Sequence, residues 1–146
     1  MLPAKYRIHA LLILVALLII FIPQFNERPD KAKAAAAQAA ADAFLQRVDH
    51  DQFAASWESA ATLLRNKVTE ADWVSQLQRT REIAGPVVKR TLKSMSYSTS
   101  AKDSPDGEYI LIVYDTAFKA KSDATETLTV MLDTDKSWRV AGYFIK

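Results

Sequence analysis

The chain has 146 residues, of which 49% are hydrophobic and 25% are charged, and its formal net charge is +2. These values predict a single folded domain rather than a disordered chain. The sequence has no cysteine, two histidines and three glycines, which excludes disulfides, thiolate metal sites, a cysteine nucleophile and a glycine-rich phosphate loop. A multi-histidine metal centre is disfavoured as well, so we predict neither a metal nor a cofactor.

The N-terminal residues have the pattern of an export segment. Lys5 and Arg7 precede an apolar run over residues 10–22, as the basic and hydrophobic regions of a signal sequence do. A helix of that run spans only about 20 Å of a ~30 Å hydrocarbon core. Residues 8–25, which contain one histidine, one proline and one glutamine, come closer to spanning it.

Two interpretations of this segment remain open: a cleaved signal peptide over residues 1–22, or an uncleaved signal anchor. We favour the anchor, because the first small-x-small cleavage motif is Ala32-Lys33-Ala34, well beyond the apolar run. We therefore expect a single-pass inner-membrane protein that contacts the membrane through residues 8–25 and holds its domain in the periplasm. Cleavage would instead release the domain into the periplasm.

Charge counting excludes one class of partner. Removing Lys5 and Arg7 from the 19 basic residues leaves 17, which equals the number of acidic residues. A neutral domain has no overall electrostatic footprint for nucleic acid, so we predict no nucleic-acid partner.

The charges are nevertheless unevenly distributed along the chain. Residues 103–135 contain eight acidic side chains and two lysines, whereas residues 79–93 contain one acid, Glu82, and five basic side chains: Arg79, Arg81, Lys89, Arg90 and Lys93. The basic stretch is either a solvated helix end beside a lysine-guarded sheet edge or a patch for an anionic partner. We favour the first interpretation, because charge runs usually mark solvated faces.

The first half of the domain predicts three helices. Residues 23–31 form a linker with two prolines, and the single domain follows over residues 32–146. The first helix covers residues 31–48, where the apolar positions with helical spacing are Ala37, Ala41, Phe44, Leu45 and Val48. Its many alanines favour a helix and leave a small-residue face that another element can approach closely.

Two further helices follow. The second covers residues 52–66, with an apolar stripe formed by Phe53, Trp57, Ala61 and Leu64. The third covers residues 70–84, with Thr69 as its N-cap. Gly85 and Pro86 end it, since glycine adopts positive φ and proline cannot continue a helix.

After Pro86 the hydrophobic period changes from 3.6 to 2, which predicts four strands. They cover residues 87–100, 109–118, 125–132 and 138–145, with a Pro-Gly turn over residues 104–107. The segment 109–118 is apolar on both faces, which is typical of a central strand.

The last hairpin has a predicted register. A three-residue loop over residues 134–136 places Trp138 opposite Leu132, Val140 opposite Val130, and Gly142 opposite Leu128. This register buries the apolar side chains on one face of the last strand, which are Trp138, Val140 and Phe144. Helices segregated from strands predict an α+β fold, with three helices packed on a curved four-stranded antiparallel sheet.

Several motifs resemble one family. Residues 54–57, 107–109, 114–118 and 137–145 are similar to a bacterial domain-of-unknown-function family of exported proteins, DUF4019. More loosely, the terminal strand and hairpin order resemble the nuclear-transport-factor-2-like (NTF2-like) and cystatin-like superfamily. The resemblance implies helices held in a cone by a bent sheet, and it implies no established activity or catalytic residue.

Asp115 is the most unusual candidate for chemistry, because it is an acid within the most apolar strand. If it faces a pocket between sheet and helices, burial would raise its pKa and suit it to act as a general base. Arg139 or a tyrosine would then stabilise developing negative charge. We favour an outward-facing Asp115, because a lone acid at an alternating strand position usually faces solvent.

Other candidates for a pocket or an interface are aromatic. The set comprises Trp57 and Trp73 on the helices and Tyr97 and Tyr143 on the strands, together with Asp115 and Arg139. Each tryptophan lies on the apolar stripe of its element, which favours a place in the core over a place in a ligand pocket. His50 lies between two aspartates in a helix–helix turn, where a surface histidine is ordinary.

Two classes of function remain. The first is a non-catalytic module of the cell envelope that binds an envelope protein or a small ligand, or forms a homodimer through its sheet. The alternative is a small pocket enzyme on an NTF2-like scaffold with Asp115 as general base. We favour the binding module, because the sequence contains no paired acid–base constellation.

Overall fold

The computed structural model describes residues 27–101 and 103–146. The predicted export segment, residues 8–25, lies outside this part of the chain. Within it, no helix combines the length and the hydropathy needed to cross a bilayer.

The first helix, α1, covers Lys31–Asp49, and its five buried residues are the five predicted from the sequence. The side chain of Asp30 caps it by accepting a hydrogen bond of 2.9 Å from the backbone N–H of Lys33. Upstream of the cap, the carbonyl of Glu27 accepts a hydrogen bond of 2.7 Å from the N–H of Tyr97. The chain therefore enters the domain beside the edge of the sheet.

The second predicted helix is wrong, because the chain there forms two short helices: α2 over Phe53–Glu58 and α3 over Thr62–Lys67. Between them, the backbone N–H of Ala61 donates a hydrogen bond of 2.8 Å to the carbonyl of Val140 in the last strand. The Asp133 carboxylate then accepts from the N–H and the hydroxyl of Thr62 at 2.9 and 3.0 Å. These tertiary contacts replace the helical hydrogen bonds, and the domain has four helices within the described residues.

Helix α4 covers Glu70–Ala84, as predicted. The Thr69 hydroxyl accepts a hydrogen bond of 3.2 Å from the N–H of Asp72, which confirms the predicted cap. Gly85 ends the helix with a φ of 78°, and a Cβ there would lie 3.3 Å from the Cβ of Lys119. Both the conformation and the space favour glycine at this turn.

The four strands form one antiparallel sheet in the order β1-β2-β3-β4, which confirms the predicted four-stranded antiparallel sheet. They are β1 (Val87–Ser98), β2 (Tyr109–Phe118), β3 (Lys121–Leu132) and β4 (Trp138–Ile145). Strands β2 and β4 have the predicted bounds, whereas β1 ends two residues earlier and β3 begins four residues earlier than predicted.

The predicted register of the last hairpin is confirmed for its first half only. Leu132 pairs with Trp138 and Val130 with Val140, but a bulge then places Gly142 opposite Thr129 instead of Leu128. Beyond the bulge the inward positions are taken by Tyr143 and Ile145, which are buried, instead of Phe144. Trp138 packs against the core but is only half-buried.

Helix α1 packs across the inner face of the sheet, against β2, β3 and β4. Ala37 and Ala41, which are fully buried, allow this close approach. Phe44 lies at the centre, with its ring centroid 6.1 Å from that of Trp73 and 5.6 Å from that of Tyr143. The α+β class with helices on one face of a curved sheet is thus confirmed, with a fourth helix added.

Candidate functional site

The most unusual group on the inner face of the sheet is Glu126, which is 0% exposed. Its Oε1 accepts hydrogen bonds from Arg90 Nε at 2.7 Å and from the Thr116 hydroxyl at 2.6 Å. Its Oε2 accepts from the Tyr143 hydroxyl and, at 3.2 Å, from Arg90 Nη2. We refer to Arg90, Thr116, Glu126 and Tyr143 as the Glu126 cluster.

The sheet register explains how these four side chains meet. Each strand contributes one of them, from β1 to β4 in order. Arg90 pairs with Thr116 across β1 and β2, so both side chains point to the same face. Glu126 pairs with Tyr114 on β2 and with Ile145 on β4, and all of these positions face inward because side chains alternate along a strand.

The cluster extends to the helices through Asp49 at the end of α1. Arg90 donates to Asp49 through Nη1 at 2.7 Å and through Nη2 at 3.0 Å. Arg81 on α4 donates to the same carboxylate through Nη2 at 2.5 Å. The Arg81 guanidinium also lies over the Phe118 ring, 5.0 Å from its centroid, which adds a cation–π contact. Two arginines and two carboxylates therefore join the sheet to both long helices.

These contacts shift the pKa values of Asp49, Arg90 and Tyr143. Burial opposes the ionisation of Asp49, but the hydrogen bonds and charges of Arg90 and Arg81 outweigh it and lower the pKa of Asp49. Burial likewise opposes the charge on Arg90, and its bonds to Asp49 and Glu126 raise its pKa above the ordinary value. Burial, followed by the charge of Glu126, raises the pKa of the Tyr143 hydroxyl well above its ordinary value.

These contacts limit what Glu126 does chemically. Each of its two carboxylate oxygens accepts two hydrogen bonds, and all four bonds come from side chains of the domain. A carboxylate has about four lone-pair sites, so those of Glu126 are engaged. The cluster is therefore built to hold the sheet and the helices together, and a substrate would have to displace part of it to reach this acid.

An open depression of about 590 Å³ lies next to the cluster, between the end of α1, the start of α2, α4 and the Gly85-Pro86 turn. Val48, Phe53 and Val74 provide its apolar lining, and Asp51 and Glu82 its exposed acidic side chains. Asp49 and Arg81 also line it. This depression is where the ionic cluster meets solvent.

The predicted aromatic candidates are distributed through the fold. Trp73 is 4% exposed and donates from Nε1 to the Ser56 hydroxyl at 2.9 Å. Trp57 is half-buried and donates from Nε1 to the carbonyl of Val68 at 2.8 Å. Both indole nitrogens are thus satisfied within the helical layer. Tyr143 is the one member of the predicted set that belongs to the Glu126 cluster.

Tyr97 lies at the other end of the sheet. Its hydroxyl donates to Glu108 at 2.9 Å, and the ammonium of Lys33 lies 5.1 Å from its ring centroid. Lys33 also pairs with Glu108, and these two hydrogen bonds lower the pKa of Glu108. This group ties the start of α1 to the sheet at the point where the chain enters the domain.

Arg139 pairs with the last hairpin loop. Its Nη1 and Nη2 donate to Asp135 at 2.6 and 2.8 Å. Hydrogen bonds from Arg139 and from the N–H of Ser137 lower the pKa of Asp135 to about 2. Arg139 and Asp115 belong to separate ion pairs, so the two residues do not form the expected pair of a general base and a charge-stabilising arginine.

Asp115 faces outward, in line with the favoured expectation. Its side chain is 59% exposed, and it pairs with Lys93 at 3.3 Å on the outer face of the sheet. The alternative that places Asp115 in a pocket between the sheet and the helices is therefore wrong, although Asp115 lines an open depression of about 500 Å³ with Thr91 and Lys93. The strand alternation that buries Tyr114 and Thr116 directs Asp115 away from the helices.

The basic stretch of residues 79–93 is not one continuous surface. Arg81 and Arg90 point inward to Asp49 and Glu126, while Lys93 pairs with Asp115 on the outer face. Arg79 and Lys89 are exposed. Much of the positive charge of this stretch is therefore paired with acids inside the domain, and it forms no single patch for anions.

The sequence pattern did not single out Glu126 or Asp49, and it placed Arg90 only in the basic stretch, although one signal of the cluster was present. Glu126 lies in the same alternating phase as Leu128 and Val130, which are buried apolar positions of β3. A carboxylate in an inward phase needs a partner of opposite charge. Nothing in the sequence alone shows that Arg90, two strands away, supplies it.

Comparison with known proteins gives a family and a fold. The family model described as "Protein of unknown function (DUF4019)" matches residues 40–143. A search of curated protein sequences finds no significant match. Among solved structures, Aln2 from a Streptomyces species is similar with a TM-score of 0.52 and 9% identity, over 82% of this chain and 93% of that one. This likeness concerns the fold alone.

Proposed function

The chain belongs to the DUF4019 family, and we propose that it is a non-catalytic binding module of the cell envelope. In this proposal residues 8–25 anchor it in the inner membrane and the domain lies in the periplasm. Its partner is an envelope protein, and the chain contributes a binding surface rather than a reaction.

The observation that carries the non-catalytic role is the state of the buried carboxylates. Glu126 and Asp133 are 0% and 5% exposed. Glu126 accepts only from its own cluster, while Asp133 accepts from Thr62 and from the N–H of Thr134 at 2.8 Å. A general acid or base needs a free lone pair or proton within reach of a substrate, and both groups are engaged in holding the fold.

The entry point of the chain supports an anchored arrangement. Glu27 bonds to Tyr97, and Lys33 pairs with Glu108, so the segment that follows the predicted anchor is fixed to one end of the domain. Helix α1 then leads away from this end for 19 residues, or about 28 Å at 1.5 Å per residue.

Fractionation of cells that produce the full-length chain with a C-terminal tag tests the location. We expect the intact mass of the complete chain, retention in the inner membrane after carbonate washing, and digestion of the domain by protease in spheroplasts but not in whole cells. A mature N-terminus between Pro23 and Ala36 would replace the anchor by a cleaved signal. Protection of the domain in spheroplasts would contradict a periplasmic location.

Photo-cross-linking in living cells tests the binding role. A photoreactive amino acid is placed in turn at exposed positions around the domain, for example at Gln78 near the depression and at Asp123 on the sheet. We expect a discrete adduct from at least one region and none from the others. An adduct of twice the monomer mass would indicate a homodimer, whereas the absence of adducts at every position would contradict a binding module.

A further inference from the structure

We propose that the open edge of strand β1 binds an extended segment of a partner protein, which adds to the sheet as a further strand. The segment alternates acidic and apolar side chains. The inference rests on the proposed binding role, and it names the surface that is used and the chemistry of the partner.

The backbone of β1 is unpaired along most of one edge. Strand β1 is the first strand of the sheet, so β2 occupies only one of its two edges. At the other edge, the N–H of Tyr97 donates to the carbonyl of Glu27 at 2.7 Å in an antiparallel bridge. Within the described part of the chain, no other backbone group of β1 bonds to a segment outside the sheet. Such an edge is a template for a further strand.

The bridge to Glu27 shows that this edge accepts an extended segment, but it covers only one end. Because the pairing is antiparallel, the residues after Glu27 are directed along β1 toward Met95. Helix α1 begins at Lys31, so this segment leaves the sheet before it reaches Leu92. Tyr97 donates away from β2, and the alternation of hydrogen bonds along a strand directs the N–H of Met95 to the same open edge.

Exposed apolar side chains lie at the uncovered part of this edge. Among the described residues, the exposed large hydrophobic side chains are Ile83, Val88 and Leu92, with exposed fractions of 61%, 71% and 42%. Leu92 pairs with the buried Tyr114 and therefore faces the helix side of the sheet. Helix α1 packs against the other three strands. A strand added to β1 would place alternate side chains beside Leu92 on this face, where apolar residues fit best.

The outer side of the same edge favours acidic residues. Lys89 precedes the inward-facing Arg90, so its side chain points to the outer face. Lys89 is exposed and has no acidic partner within 4.0 Å among the described residues. Lys93 pairs with the exposed Asp115 on the same face. A second copy of β1 would bring further lysines to this face, which disfavours a homodimer through the edge, whereas acidic side chains complement it.

Two peptides of matched pattern test the proposal on the full-length chain in detergent micelles. The probes are Ac-Val-Glu-Val-Glu-Val-NH₂ and Ac-Val-Lys-Val-Lys-Val-NH₂, and the readout is hydrogen exchange of the backbone amides by NMR. We expect the amide of Met95 to exchange rapidly in the free chain and to become protected by the glutamate peptide in a saturable manner. The lysine peptide should bind roughly tenfold more weakly, since it replaces attraction to Lys89 by repulsion.

Methylated peptides distinguish strand pairing from simple charge attraction. One glutamate peptide is methylated on its valine nitrogens and a second on its glutamate nitrogens. Only alternate N–H groups of a strand face one neighbour, so one of these peptides should lose binding and the other should retain most of it. Equal effects of the two methylation patterns would contradict the addition of a strand.

Variants of exposed residues locate the site. Lys89→Gln should weaken the glutamate peptide roughly fivefold, because it removes one exposed charge attraction. Leu92→Thr should weaken it roughly threefold by reducing apolar contact, and threonine retains the preference for a strand. The control Lys67→Gln makes the same change in net charge at the end of α3, which packs against β4 at the opposite edge of the sheet. This control should bind as the wild type does.

Protection of the Met95 amide in the free chain would overturn the proposal, because the edge would then be occupied by the chain itself or by a second copy. Equal binding of the glutamate and lysine peptides, or equal weakening by Lys89→Gln and Lys67→Gln, would overturn it as well. None of these results depends on where the chain resides in the cell. If the peptides fail while cross-links form elsewhere on the domain, this surface is wrong and the binding role stands.

Discussion

Two ion pairs that start on β1 show how differently the same kind of contact behaves in this domain. Arg90 and Glu126 pair on the inner face, with side chains 16% and 0% exposed. Lys93 and Asp115 pair on the outer face, with side chains 57% and 59% exposed. In both pairs the base comes from residues 79–93 and the acid from residues 103–135. The two bases, Arg90 and Lys93, lie three positions apart on β1.

The difference between them lies in their surroundings. The inner pair is bidentate and has two further donors, Thr116 and Tyr143, on the carboxylate. Removal of one partner would leave a charge in a dry environment, which is strongly destabilising. Water screens the outer pair, and pairs of that kind contribute little. The alternation of side chains along the strands therefore decides which pair is buried and stabilises the fold.

The substitution Glu126→Gln should produce the largest effect. It keeps the shape of the side chain but removes the charge that faces Arg90, and breaking a buried pair in this way costs about 3 kcal/mol. Urea unfolding of the full-length chain in micelles, followed by tryptophan fluorescence, measures the loss. In thermal unfolding, the same loss of stability corresponds to a midpoint temperature roughly 10 °C lower.

The sign of the change in stability distinguishes a structural buried acid from a catalytic one. Catalytic carboxylates are often held in strained sites, and their replacement tends to stabilise the protein. An unchanged or raised midpoint for Glu126→Gln would therefore contradict a structural cluster and would return Glu126 to consideration as a reactive group.

The substitution Tyr143→Phe should have an intermediate effect. It removes one hydrogen bond to a charged acceptor, worth about 1.5 kcal/mol, and leaves Arg90 and Thr116 on Glu126. The ring keeps its contact with Phe44, so core packing is preserved. The same unfolding measurement should rank this variant between the wild type and Glu126→Gln. A loss as large as that of Glu126→Gln would contradict the ranking.

Low pH should weaken the ion pairs that Asp49 makes with Arg81 and Arg90. The pKa of Asp49 is lowered in the folded state, so its contribution to stability is complete above the unfolded pKa near 4 and is lost as the pH falls through the lowered value. Urea midpoints of the wild type should therefore decline progressively below about pH 5. The Asp49→Asn variant should be less stable at pH 7 and should show a shallower decline. Parallel pH profiles would contradict this role of Asp49.

The substitution Asp115→Asn should have the smallest effect. An exposed pair contributes at most about 1 kcal/mol, so the free energy of unfolding should change by no more than that. This variant is also the matched control for Glu126→Gln, because both replace an acid by its amide on a sheet strand. A loss comparable to that of Glu126→Gln would remove the distinction between the two faces.

Most of the fold was predictable because its signals are local. Asp30 and Thr69 cap helices through residues three positions away, and the alternation of β2 and β3 extends over neighbouring residues. The break at Ala61 was not predictable, because it depends on a tertiary contact: the N–H of Ala61 bonds to the carbonyl of Val140. Local propensity alone predicts a continuous helix over residues 52–66. Glycine at position 142 is a local signal of a bulge in a strand, and the bulge lies beside it, but the glycine does not show which residues pair beyond it.

The candidate site was less predictable than the fold. Tyr143 was singled out as an aromatic candidate, but its partner Glu126 was not, although the phase of β3 places that acid inward. Arg90 reaches Glu126 across β2, where the intervening side chain is the small Thr116. Contacts between strands that are not neighbours require the full register, which a single sequence does not contain.

The Asp133 cap has a consequence for helix α3. Helix α3 has six residues and no side-chain cap of its own, and a helix this short does not persist in water by itself. The first N–H of the helix, that of Thr62, donates its hydrogen bond to the side chain of Asp133, 71 positions later in the chain. Helix α3 therefore has an acceptor for its first N–H only when the β3–β4 hairpin is closed, so a hairpin late in the sequence completes a helix in its first half.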